Sequence, residues 1–319
     1  MKNKDAYIAF CESRQDLPLF LQPWWLDAVT RPDGKEWEVL LARNKQGEIE
    51  AVMPFLVGKK WGMRYAMTPQ LTQYTGVWIA DKEGESATER LSREKRLQNE
   101  IIEQLEAMQF AFFDVAFPLS YTWWTPFYWA GYRQETRYTY RIADLSDTDA
   151  VFERLDYSKQ KQIRKAQDAG ITIDFEMTAD ALYDLQCLQL SDRGSTDVLS
   201  RALVRSAVEN SRSRQQGLIV RARDGEGNTH AAILVVWDKT CAWELVSAIH
   251  PDFRNSGAST LVVWEAMRKL CGVVKVWDFE GSMIENVENS FRLFGATPVP
   301  YFRLRKQNKA AAIWEACKR

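Results

Sequence analysis

Only two histidines, His230 and His250, occur in this chain of 319 residues. A histidine-rich metal centre is therefore not expected. The five cysteines, Cys11, Cys187, Cys241, Cys271 and Cys317, lie far apart and form no CxxC pair. Such spacing predicts reduced, mostly buried thiols in a cytoplasmic protein. No run reaches the roughly 18 apolar residues that a transmembrane helix needs. The opening MKNKDAYIAF shows no apolar core of a secretory signal. Also missing are a GxxxxGK phosphate loop, a GxGxxG turn after a strand and a GxSxG elbow. Without them, the common nucleotide-binding and covalent-serine chemistries have no anchor.

What is present describes a sizeable globular protein. Hydrophobic residues make up 46% of the chain and charged residues 27%, which suffices for a substantial core. The 42 basic and 43 acidic side chains leave a formal charge of -1, which argues against a nucleic-acid clamp formed by the whole protein. The length suits two domains. Thirteen tryptophans, crowded at PWW and TWWTPFYW, read first as core and second as a flat aromatic surface.

Both halves repeat one α+β pattern. The first half reads as a short strand at YIAF, an aromatic helix, a hairpin over 37–57, and a helix over 89–108. A buried strand, FAFFDVAF, and the β-rich YRQETRYTYRI close it. The second half reads as strand ITIDF, two helices (179–191 and 197–211), and a hairpin across DGEGN. The strand CAWELVSAI, a helix, the strand GVVKVWDF, a helix and a last strand follow. The cut is placed near residue 145, giving domains 1–145 and 146–319.

One passage is rich in chemistry. In VWDFEGSMIENVENSFRLFGA, a strand carries Asp278 and Glu280 into a turn at Gly281-Ser282 just before a helix. The two carboxylates have the same strand parity and so could face one cleft together in a direct chemical role, or one of them could cap the following helix. Glu244 on CAWELVSAI falls among apolar neighbours, sharing a face with Val246 and Ala248 if the strand alternates regularly. Burial there would lift its proton affinity into the range of a general base. His250, at the end of the same strand, is the alternative base.

Small residues and an arginine begin the helix after that strand, as Arg254, Asn255, Ser256, Gly257, Ala258 and Ser259. Backbone N–H groups at such a helix start can face an anion. Lys161, Arg164 and Lys165 share one face of the helix YSKQKQIRKAQ and form either a solvated surface or a phosphate contact.

The order of elements and the RNSGAS loop resemble the GNAT acyltransferase fold. DFEGSMIENVENSFRLFGATPVPY and YSKQKQIRKAQDAGI are similar to segments of the FemABX and BioF2-like acyltransferases, which have tandem GNAT-like domains. The resemblance implies two such domains, each a mixed, mostly antiparallel sheet flanked by helices, the first degenerate. It implies acyl or aminoacyl transfer onto a small-molecule, peptide or saccharide amine. It also implies a passing co-substrate, acyl-CoA or aminoacyl-tRNA, rather than a tightly bound cofactor, with tRNA among the partners. It implies a cytoplasmic setting, with the inner face of the membrane left open. Arg254–Ser259 would hold the donor. Tyr74, Gly76, Gly281 and Ser282, with Lys161, Arg164 and Lys165, would contact substrates. Phe291 stands where many GNAT enzymes carry a tyrosine that protonates the leaving thiolate. Two alternatives stay open: an acetyl-CoA-dependent N-acetyltransferase, and a binding scaffold without catalysis.

Overall fold

The computed structural model describes residues 2–14, 16–60, 62–195, 199–281 and 283–308. In chain order the helices and strands are α1 (Lys2–Glu12), α2 (Pro23–Thr30), β1 (Glu36–Arg43), β2 (Ile49–Lys60), β3 (Met63–Met67) and β4 (Trp78–Ile79). Then come α3 (Ala87–Ala107), β5 (Phe112–Ala116), α4 (Thr125–Trp129), β6 (Arg133–Ile142), α5 (Thr148–Arg154), α6 (Tyr157–Asp168) and β7 (Thr172–Asp174). The remainder is α7 (Ala179–Asp192), α8 (Arg201–Ser213), β8 (Gly217–Arg223), β9 (Thr229–Trp237) and β10 (Cys241–Ile249). α9 (Ala258–Leu270), β11 (Val276–Asp278), α10 (Glu285–Arg292) and β12 (Thr297–Gln307) follow.

The chain forms two compact units. One runs up to Arg137 and takes back the residues from Pro300 onward, and the other is Tyr138–Val299. The expected cut near residue 145, between two continuous segments, therefore differs from the division observed. The punctuated stretch around 145 is a connection inside the second unit, and both boundaries fall within strands, β6 and β12.

In the first unit the strand order is β1-β2-β3-β5-β12, with β4 also on β2. The pairs are antiparallel except β3 with β5. The expected hairpin is β1–β2, and its turn is closed by Asn44, whose Oδ1 accepts the N–H groups of Gln46 and Glu48, each at 2.9 Å. Helix α3 starts on a capping box between Ser86 and Glu89 and buries Leu97, Ile101 and Leu105, one apolar stripe. The strand expected at YIAF is instead helix α1. Tyr7 and Cys11, four residues apart, are both buried in a cluster with Trp37 and Val39. That i, i+4 spacing outweighs an alternation only four residues long.

In the second unit the order is β6-β11-β10-β9-β8-β7, antiparallel except β10 with β11. The core of this unit gathers Ile163 and Ala166 of α6 and Leu261, Val262, Trp264 and Met267 of α9. Against them stand Val220, Ile233, Val235 and Ala242 from one face of the strands. Of the tryptophans, Trp25, Trp37, Trp243 and Trp277 are fully buried, whereas Trp129 is 59% exposed. The aromatic surplus is thus divided between core and surface: of the tryptophans at PWW and TWWTPFYW only Trp25 is buried, while Trp24, Trp123 and Trp124 are half-buried. No helix among the described residues is long and apolar enough to cross a membrane.

Candidate active site

Regular alternation fails in β10. Glu244 pairs with Val235, but the next registered residue, Val246, pairs with Leu234, so Leu245 is the extra residue of a β-bulge. An inserted residue reverses the facing of everything beyond it. Val246 and Ala248 therefore leave the face of Glu244, and Ser247 and Ile249 join it. The expected apolar company of Glu244 is corrected to a polar neighbour, since the Ser247 side chain hydrogen-bonds to the Glu244 carboxyl. This is also the face covered by α6 and α9, where Ala242 and Ile249 pack.

A buried cation stands on the same side. Lys159 of α6 is 7% exposed, and its Nζ donates to Ser290 Oγ at 2.9 Å and lies 4.4 Å from the Phe294 ring centroid. Burial pushes its ammonium down to about 8, opposed by the negative charges of Glu244 and Asp156. Burial likewise lifts Glu244 to about 7, while the Lys159 charge and the Ser247 hydrogen bond pull it back. The Glu244 Oε2 atom is buried without a hydrogen-bond partner among the described residues.

Parallel pairing of β10 with β11 ends at Trp243 and Asp278, although β10 continues to Ile249. The two strands part at that point, and Glu244 is the first residue of β10 beyond the pairing. Asp278 is in register with Trp243, so it points to the face opposite Glu244.

Asp278 is completely buried and bound up in local structure. It takes a short hydrogen bond from the Thr139 hydroxyl, pairs with Arg141 Nε at 3.0 Å, and accepts the Glu280 N–H at 2.7 Å. The last bond is an Asx turn, not a helix cap. It holds Glu280 at φ +61 and Gly281 at φ +82. A Cβ on Gly281 would lie 2.3 Å from the Tyr138 carbonyl oxygen, so only glycine fits there. The half-buried Glu280 carboxyl is pushed up to about 8 by burial, and the Asp278 charge adds to the rise. Ser282 lies outside the described residues.

His250 is committed to the chain. Its Nδ1 accepts the Asp252 N–H at 3.2 Å, capping the short turn Pro251–Phe253, and its ring leans on Phe253. The candidate donor loop begins α9 as expected. Arg254 forms an ion pair with Asp192, the Asn255 carbonyl accepts Lys165 Nζ at 2.6 Å, and Ser256 Oγ accepts the Ala258 N–H at 3.2 Å. Gly257 has φ +84, and a Cβ on it would meet the Gln162 carbonyl oxygen at 2.2 Å. This glycine thus serves the close approach of α9 to α6. Ser259 is half-buried in the first turn of α9.

Lys161, Arg164 and Lys165 are all exposed on α6. Phe291 is stacked on Phe279 at 4.6 Å and has no proton to give. Tyr74 and Gly76 belong to the other unit. Tyr74 is buried edge-on to Phe20. Gly76 donates its N–H to the Ala116 carbonyl at 3.0 Å and lies against Phe117.

Residues 154–281 match the Acetyltransferase (GNAT) domain family. The fold is GNAT-like. FemX shares it with a TM-score of 0.68 and 10% identity, over 94% of this chain and 95% of that one. L-PGS from Bacillus licheniformis aligns at 0.55 and 9% identity, covering 97% and 92% of the two chains. A tandem GNAT protein from the clavulanic acid biosynthesis pathway aligns at 0.52 and 11% identity, covering 95% and 93%. No curated protein matches the sequence.

Alternation placed Glu244 correctly on β10 but not its neighbours, because a bulge has no clear residue signature. Lys159 was legible only by exclusion. It sits beside Lys161, Arg164 and Lys165 in sequence yet off their shared face, which is where a buried lysine has to be.

Proposed function

We propose that the chain is an acyltransferase that moves an acyl or aminoacyl group from a carrier to an amine, with Glu244 as the base. The observation that carries this reading is the half-buried Glu244 carboxyl at the β10 bulge, lifted to about 7 and next to the point where β10 and β11 part. A carboxylate of that strength accepts a proton near neutral pH. In the reaction, the amine nitrogen bonds to the acyl carbon while its proton passes to Glu244. The bond from the acyl carbon to the carrier sulfur or oxygen then breaks, and the leaving group takes a proton from solvent. Leu245, the extra residue of the bulge, stands outside the ladder, and its N–H is our candidate donor to the oxyanion.

The loop Arg254–Ser259 at the start of α9 is assigned to the anionic part of the carrier, with Lys165 and the exposed Lys161 and Arg164 beside it. Asp278 and His250 receive positioning roles, since their polar atoms bind the backbone and neighbouring side chains. The unit running up to Arg137, which holds Tyr74 and Gly76, is read as a degenerate copy of the GNAT pattern. Free cysteines at Cys11, Cys187, Cys241 and Cys271 fit a cytoplasmic setting. Cys317 lies outside the described residues.

The test compares carriers directly. Purified protein is offered acetyl-CoA and longer acyl-CoAs, or aminoacyl-tRNA, each with a panel of amines, and product is followed by mass spectrometry. Transfer from either carrier, reduced roughly 100-fold or more in Glu244→Gln with substrate binding kept, supports the reading. Transfer from acetyl-CoA alone selects the N-acetyltransferase, which the match to an acetyltransferase domain favours. Carrier binding without transfer from any donor points to the scaffold.

A further inference from the structure

We propose that Lys159 is a positioning residue for this site: its buried ammonium keeps Glu244 in the ionised, proton-accepting form, and Ser290 of α10 anchors the ammonium there. The inference rests on Glu244 being the base, and it adds a second residue and a connection to α10.

A lysine that is 7% exposed needs a reason to be charged, because an ammonium taken out of water loses its hydration. Three partners supply one. The Ser290 hydroxyl accepts at 2.9 Å, the Phe294 ring presents its negative face at 4.4 Å, and Glu244 shares the Val235 and Ile233 face of the sheet that α6 covers. Asp156, at the start of α6, is the other negative group acting on the ammonium, more weakly than Glu244. For Glu244 the positive charge of Lys159 is the largest influence opposing burial, ahead of Ser247. Remove Lys159, and only the Ser247 hydrogen bond is left to oppose burial, so the carboxyl should hold its proton to a higher pH.

The link to α10 follows from how that helix is attached. No residue of Glu285–Arg292 is buried, and the chain reaches it through the left-handed pair Glu280–Gly281 and leaves it at Gly295, φ +76. The half-buried bond from Lys159 to Ser290 is therefore a polar tether on this helix, beside the apolar one that Phe291 makes by stacking on Phe279. A shift of α10 that draws Ser290 away takes an acceptor from the ammonium, and the strength of the base changes with it.

The experiment has an arm that does not depend on turnover. Carbon NMR of protein labelled at glutamate carboxyls follows Glu244, its resonance identified by its loss in Glu244→Gln. In Lys159→Met the titration should move upward in pH by about one unit or more, each unit being 1.36 kcal/mol of interaction. Lys159→Arg should bring it back most of the way, and Ser290→Ala should shift it in the same direction as Lys159→Met by less. The acidic limb of the rate profile should move in parallel. An unmoved Glu244 resonance in a folded Lys159→Met protein overturns the proposal, as does a rate loss equal at every pH. Should Lys159→Met fail to fold, the comparison of Ser290→Ala and Lys159→Arg with the parent carries the same decision. If the resonance moves as stated but no carrier is turned over, the electrostatic link stands and the acyltransfer reading fails.

Discussion

The Ser247 hydroxyl reaches the Glu244 carboxyl from three residues along the same strand, a contact that an unbroken β-strand cannot make. The bulge at Leu245 brings them together. Ser247→Ala should therefore raise the proton affinity of Glu244, since a hydrogen bond to the ionised carboxyl is lost. A charge-assisted bond worth about 1.5 kcal/mol corresponds to roughly one pH unit. The acidic limb of the rate profile should move up by that much, with the plateau rate nearly unchanged. An unmoved limb would separate Ser247 from the base.

Glu280 allows a test of stability that needs no substrate. Its folded carboxyl is raised to about 8 from an ordinary 4.5, so the folded state holds the proton longer than the unfolded chain does. Below about 4.5 both states are protonated and the group contributes nothing. As pH climbs from there to about 8, the parent loses stability. Glu280→Gln, which cannot ionise, should melt higher than the parent at pH 8 by several degrees, and the gap should close near pH 4. A gap independent of pH would mean the carboxyl is not held neutral.

Replacing Gly257 should first damage the fold. Gly257→Ala places a side chain on a left-handed residue and drives its Cβ toward the Gln162 carbonyl, a backbone atom that no rotamer change can move. Strained backbone of this kind costs about 1–3 kcal/mol before the collision is added. Urea unfolding should show a loss of at least about 2 kcal/mol, whether or not a donor is present. Full stability with donor affinity lost would return Gly257 to a purely ligand-facing role.

Arg254 and Asp192 make opposite predictions. The pair is solvent-exposed on both sides, so breaking it should change stability by less than about 1 kcal/mol. If Arg254 meets the anionic carrier, Arg254→Gln should weaken binding several-fold and steepen no salt dependence. Asp192→Asn releases the guanidinium from its competitor and should tighten binding. Calorimetry on both variants, at two ionic strengths, decides the matter. Equal effects from the two substitutions would remove Arg254 from the carrier site.

Much of the second unit could be read in the sequence because its signals are local. The DGEGN turn fixes the hairpin β8–β9, Gly257 marks the start of α9, and alternating apolar residues mark β10. The site itself was only half legible. Glu244 stood out as a carboxylate among apolar residues, but its real neighbours depend on one extra residue in a ladder, and ladder register is a long-range property. Asp278 and Glu280 looked like a matched pair on one strand face. A single left-handed residue, stabilised by Asp278 itself, takes Glu280 out of the strand. Residues 7–10 misled for the reverse reason: YIAF has β-forming residues, while the contacts that make it helical lie with Trp37 and Val39.

Strand β12 belongs partly to each unit: its residues from Pro300 pair with β5 in the unit that the chain begins, Leu304 opposite Val115 and Arg303 opposite Ala116. On a ribosome, the unit begun first must therefore wait for residues 300–307, which emerge only after the whole of Tyr138–Val299. Until then β5 offers an unpaired strand edge to any neighbouring chain. The later-encoded unit can close its sheet earlier, an inversion of the usual order in which N-terminal domains fold first during synthesis. A released chain that ends before Pro300 should thus present a folded second unit and a first unit still open to protease and to chaperone.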